Sequence, residues 1–156
     1  MRGRATERCG AGEGTGGDGA DGGARGRRYD PRVSRYLLIA GFGAAGAVSR
    51  YALDSWISDF SRGQFPWGTL TVNVIGAFLL GVLVAITTER FLLDQNWRIG
   101  LGIGFLGAFT TFSTYAYESV KLAEDSAWLL AFANVFGMIA LGLTAALAGL
   151  ALGRTL

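Results

Sequence analysis

No histidine occurs in the 156 residues, which removes the commonest general base and the commonest transition-metal ligand together. The one cysteine, Cys9, cannot close an intramolecular disulfide or build a thiolate metal cluster. Carboxylates are absent from the depths of the apolar runs, since Glu89 and Glu118 fall toward run ends. A proton-coupled antiporter built on a buried acid therefore has no seat in this sequence. Net charge is also nearly absent from the body of the chain. Residues 1–35 hold eight Arg against five acids, whereas residues 36–156 hold six Lys/Arg against seven Asp/Glu. The overall charge of +2 thus belongs to the first segment and implies no nucleic-acid partner. These absences exclude the usual catalytic and metal chemistries, and the expectation is a protein that is not an enzyme.

What is there divides in two. Residues 1–35 are rich in Gly and Arg and poor in large apolar side chains, so they cannot offset their ordering entropy and read as a disordered tail. Residues 36–156 are dominated by Leu, Ala, Gly, Val, Ile and Phe. A helix needs roughly 20 apolar residues to cross a bilayer core, and four segments meet that length: about Tyr36 to Ile57, Leu70 to Thr88, Arg98 to Val120 and Ala127 to Leu152. Trp56, Trp67, Trp97 and Trp128 fall at or near segment ends, where indoles prefer the membrane interface. The fold class is therefore an all-α membrane protein of four transmembrane helices, multi-pass in the cell membrane, with the lipid bilayer as its solvent. The arginines of the tail favour an N-terminus inside. Small residues recur at helical spacing: Gly43, Gly46 and Ala47, then Gly76, Ala77 and Gly81, then Gly100 and Gly104. Such stripes predict close helix packing. Gly102 to Gly107 also spells GxGxxG, but no strand precedes it and no ribose-binding acid follows, so it is not a dinucleotide site.

Three polar features inside the spans carry the functional argument. Asn73 lies about one turn into the second span, with Thr69 one turn away on the same face, an arrangement suited to a pore lined by neutral donors. Arg50 lies near the end of the first span, where its stem can snorkel, and its expected role is anchoring and structural pairing. The third span contains Gly107-Ala-Phe-Thr-Thr-Phe-Ser-Thr-Tyr115. Four hydroxyls at Thr110, Thr111, Ser113 and Thr114 favour a local helix break over simple back-bonding. Broken helices persist at membrane depth only when buried or lining a cavity, and their freed carbonyls can hold a small cation such as Na⁺. Phe112 and Tyr115 are one turn apart, and aromatic ring edges carry the positive side of the quadrupole, so the two rings suit a small anion.

At these residues the chain resembles the Fluc/CrcB family of fluoride channels. The resemblance rests on Gly43-Ala-Ala-Gly-Ala-Val-Ser-Arg-Tyr51, Gly68-Thr-Leu-Thr-Val-Asn-Val-Ile-Gly76 and Gly107 to Tyr115, in that order. It implies passive fluoride efflux by an antiparallel dimer of dual topology, formed with itself or with a homologous subunit, around a structural Na⁺. It further implies that carbonyls of Gly107 and Thr110 hold the Na⁺, that Asn73 donates to fluoride, that Phe112 and Tyr115 line the path, and that Ser113 and Thr114 belong to a polar track. Two positions depart from the family pattern. Tyr115 stands where the family usually has Phe, which adds a donor near the pathway. On the fourth span the family often presents a Tyr and a Ser one turn apart, and the matching positions here are Asn134 and Met138, followed by Gly142. Asn134 can still donate, whereas Met138 removes a hydroxyl, so this chain lines a modified pore or supplies one half of a heterodimer.

Overall fold

The computed structural model describes residues 31–88 and 94–156. Among the described residues every regular element is helical. Helix α1 spans Pro31–Phe60 and α2 spans Trp67–Thr88. The third span is composite: α3 (Gln95–Arg98), a π-helical segment (Ile99–Leu106), α4 (Gly107–Phe109) and α5 (Phe112–Glu124). Helix α6 spans Trp128–Thr155. Four stretches, Val33–Phe60, Trp67–Thr88, Gln95–Glu124 and Trp128–Thr155, are each long and apolar enough to cross a membrane. The tail expected at residues 1–35 lies outside the described residues as far as residue 30, as do residues 89–93 between the second and third spans.

The helices begin and end where local chemistry sets them. Helix α1 opens on Pro31, whose fixed φ and missing N–H suit a first helical turn, so α1 starts earlier than the apolar run alone suggests. Helix α2 opens just after Pro66. Asp94 caps α3 by accepting from the Asn96 N–H at 3.4 Å. Helix α5 closes in a Schellman turn. The Ala127 N–H reaches the Leu122 carbonyl at 2.9 Å and the Ser126 N–H reaches Ala123 at 3.1 Å. Ser126 holds the left-handed position, with φ of 61°, a place usually taken by glycine.

Without a hydrophobic driving force between helices in lipid, packing rests on close backbone approach, and the glycines supply it. A Cβ at Gly81 would run into the Ala146 carbonyl of α6, and one at Gly149 into the Phe78 carbonyl of α2. Helix α1 crosses the π-helical segment in the same manner. A Cβ at Gly46 would collide with the Phe105 backbone, and one at Gly104 would meet Phe42 Cβ at 2.8 Å. The stripes read from the sequence thus mark the helix crossings, and Gly149 and Gly153 of α6 extend the set. Trp56, Trp67, Trp97 and Trp128 are all exposed, as interfacial anchors require.

Candidate functional site

The third span breaks at Thr110 and Thr111, which leave the helical region for extended backbone (φ −85°, ψ 155° and φ −146°, ψ 118°). Each peptide group released there must find a partner, because an unsatisfied N–H or C=O in lipid costs several kcal/mol. Asn73 on α2 supplies both partners. Its Nδ2 donates to the Thr111 carbonyl at 3.0 Å, and the Thr111 N–H donates to its Oδ1 at 2.8 Å. Gly76, one turn on, makes room for this approach, since a Cβ there would overlap the Thr110 methyl. The break expected from the hydroxyl run is therefore present and is pinned from outside by a carboxamide.

The same bonds account for two carbonyls. In a regular helix the Gly107 carbonyl would receive the Thr111 N–H, which here goes to Asn73. The Thr110 carbonyl would receive the Thr114 N–H, which instead donates to Thr111 Oγ1 at 3.3 Å as α5 is capped. By contrast the Leu106 carbonyl is doubly served, by the Thr110 N–H at 3.1 Å and the Thr110 hydroxyl at 3.0 Å. Gly107 and Thr110 thus present acceptors deprived of their helical donors, the chemistry a small hard cation requires. Two carbonyls from one chain are too few to enclose such an ion.

A cleft of about 450 Å³ runs beside the break between α2, the third span and α6. Asn73, Thr110, Thr111, Phe112 and Tyr115 line it on one side, and Met138 and Gly142 on the other. Phe112 is 79 % exposed and Tyr115 8 %. Their ring centroids lie 5.6 Å apart with planes inclined at 58°. Asn73 spends one of its two N–H groups on Thr111 and keeps the second available.

Not every residue singled out in the sequence reaches this cleft. Ser113 and Thr114 belong to a hydroxyl cluster centred on Thr111 Oγ1, at 3.3 and 3.0 Å, and do not line the cleft. Thr69 is buried and donates to Glu118 Oε1 at 2.8 Å. Asn134 is 0 % exposed and its Nδ2 donates to the Ser119 hydroxyl at 2.9 Å, a contact made away from the cleft wall. The Ser119 hydroxyl in turn donates to the Tyr115 carbonyl at 2.8 Å, so Asn134 braces α5 against α6. The Arg50 Nε is buried without a hydrogen-bond partner among the described residues, and the pairing expected for it is not seen.

One residue behaves differently from its sequence reading. The Tyr115 hydroxyl was expected to add a donor to the pathway. It donates to the Val135 carbonyl of α6 at 3.3 Å, so its proton is already engaged. Glu118, expected near the interface, lies six residues before the end of the third span, half-buried, bonded to Thr69 near the start of α2 and, among the described residues, with Oε2 buried and unpartnered. Thr111, whose backbone meets Asn73, carries no sequence signal that separates it from its neighbouring hydroxyls, because the contact joins residues 38 positions apart.

Residues 37–150 match the family described as CrcB-like protein, Camphor Resistance (CrcB). The chain is 48 % identical over 124 residues to the fluoride-specific ion channel FluC of Geobacter sulfurreducens, covering 80 % of this chain and 100 % of that one. It is 45 % identical over 120 residues to the FluC of Geobacter metallireducens, covering 77 % and 97 %. With the FluC of Koribacter versatilis it shares 41 % identity over 124 residues, covering 80 % and 98 %.

Proposed function

The chain belongs to the CrcB-like family, and from that premise we propose that it is a fluoride-specific channel through which cytoplasmic fluoride leaves passively, protecting the cell from fluoride. It is a multi-pass protein of the cell membrane and not an enzyme. The observation that carries the reading is the break at Thr110 and Thr111, held by Asn73 at the wall of a cleft that two aromatic rings enter. Fluoride is small and strongly hydrated, so selectivity requires neutral donors and ring edges that replace water without trapping the ion. The spare N–H of Asn73 and the edges of Phe112 and Tyr115 are such groups. Thr69, Ser113 and Thr114 stand behind the cleft wall and hold the elements that form it, and Asn134 braces α5 against α6.

The functional unit is an antiparallel dimer around a structural, untransported Na⁺. Support comes from the carbonyls of Gly107 and Thr110, which have lost their helical donors, and from Phe112, which projects from the single chain. The deciding experiment is fluoride efflux from liposomes holding only this purified chain, with chloride as the control. Rapid fluoride release with chloride retained is the expected result, and equal retention of both ions would sink the reading.

A second arrangement, with a homologous subunit as partner, is favoured by the charges at the two ends of the bundle. Lys and Arg decide orientation, and one end has the arginines of residues 1–35 together with Arg98 and Arg154, against Arg62 and Lys121 at the other. This bias favours one fixed orientation over dual topology. Rescue of a fluoride-sensitive strain by this chain alone would exclude an obligatory second subunit.

A further inference from the structure

A second groove, of about 360 Å³, lies between the latter half of α2 and the start of the third span. Its wall includes Leu80, Val84 and Ile103, all exposed, while Thr87, Gln95 and Arg98 stand at one end. Leu80 and Thr87 are two helical turns apart, about 10 Å along α2. The groove therefore runs from polar at the helix ends to apolar toward the membrane centre, the same order of polarity as a phospholipid.

Among the described residues the polar end is positive, and only its threonine is committed elsewhere. The Thr87 hydroxyl is spent on the Leu83 and Val84 carbonyls at 2.7 and 3.3 Å. Arg35 Nη2 donates to Gln95 Oε1 at 3.3 Å, which brings a second guanidinium to the mouth and leaves the Gln95 amino group to donate outward. Among the described residues none pairs with the Arg98 guanidinium, and the neighbouring Asp94 accepts the Asn96 N–H as a helix cap. Arg154 ends α6 at the same end of the bundle. In copies oriented with the N-terminus inside, this end meets the cytoplasmic leaflet, where anionic lipids attract basic clusters.

We propose that this groove binds one anionic phospholipid, its phosphate held by Arg98 and Gln95 with Arg35 behind, and one acyl chain lying over Val84, Leu80 and Ile103. The ligand is a lipid and not free phosphate, because an inorganic anion would leave the apolar length of the groove unfilled. The inference rests on the membrane-spanning fold and not on what the channel conducts.

The test is native mass spectrometry of the full chain released from micelles holding equal phosphatidylglycerol and phosphatidylcholine. One phosphatidylglycerol should be retained in preference. Each arginine near an anionic headgroup is worth roughly fivefold, so Arg98→Gln should lower that preference about fivefold and Arg98→Lys should keep most of it. Val84→Trp, which fills the groove, should abolish retention of both lipids. Equal retention of the two lipids by the unmodified chain overturns the proposal. So does retention unchanged in both Arg98→Gln and Val84→Trp, or efficient disulfide formation between two copies of Ile103→Cys, which would show the groove covered by protein. Fluoride efflux measured alongside separates the two readings, since a chain that retains the lipid and conducts nothing leaves this proposal standing.

Discussion

Helix α2 makes two close crossings that use the same device and reach opposite ends. Against α6 its Gly81 admits the Ala146 carbonyl, and Gly149 of α6 admits that of Phe78. Both helices stay regular there, because each satisfies its own backbone. Against the third span Gly76 admits Thr110, but the partner gives up its helical bonds and Asn73 takes them over. The difference teaches that close approach alone gives packing. A site appears where peptide groups are transferred from their own helix to a neighbouring side chain, and the displaced carbonyls of Gly107 and Thr110 become available to something else.

The largest expected break in this contrast is Asn73→Asp. It sets a negative charge beside the cleft and removes the donor to the Thr111 carbonyl. Fluoride efflux from liposomes should fall on the order of a hundredfold or more, since a 3 kcal/mol rise in a barrier is already more than a hundredfold. Wild-type efflux would refute the assignment. On the other side of the comparison stands Gly149→Val, which forces a side chain into the Phe78 carbonyl. It should destabilise the bundle by about 3 kcal/mol, seen as a lower unfolding midpoint, while each channel that does fold conducts normally. Were conduction per folded channel to fall with it, the seam would no longer be mere packing.

Replacing Na⁺ by a large organic cation comes next. It should weaken the dimer or its flux through the Gly107 and Thr110 carbonyls, and indifference to the swap would argue against a central cation. Tyr115→Phe removes one hydrogen bond to Val135, worth about 0.5–1.5 kcal/mol. Because that hydroxyl is already engaged, flux should change by less than about threefold. A much larger change would show the phenol acting in the path. The smallest effect is expected far from either crossing, at Ser126→Gly, where relief of the left-handed backbone should raise stability by about 1 kcal/mol. A loss of stability there would contradict the Schellman geometry.

Much of this is legible in the sequence. The four apolar runs, the tryptophans at their ends and the glycine stripes follow from bilayer thickness and from the lack of hydrophobic drive between helices. The hydroxyl run announced a break because four side chains able to compete for backbone bonds crowd five positions. The π-helical segment was not legible, since Ile99–Leu106 reads as ordinary apolar helix by composition. The burial of Asn134 was missed for a similar reason. Its partner Ser119 lies 15 residues away on another helix, and an amide on an apolar span looks the same whether it faces a path or a neighbour. The engagement of Tyr115 likewise depends on where α6 places the Val135 carbonyl.

The paired bonds between Asn73 and Thr111 also bear on how such a chain can change over time. The instruction for the kink in the third span is stored in α2, 38 positions earlier. Grafting the hydroxyl run alone into another four-helix membrane protein would transfer the residues without the break, and the run would relax to back-bonded helix. A substitution at Asn73 should therefore act on the third span, and one at Thr111 on α2, whatever the sequence between them.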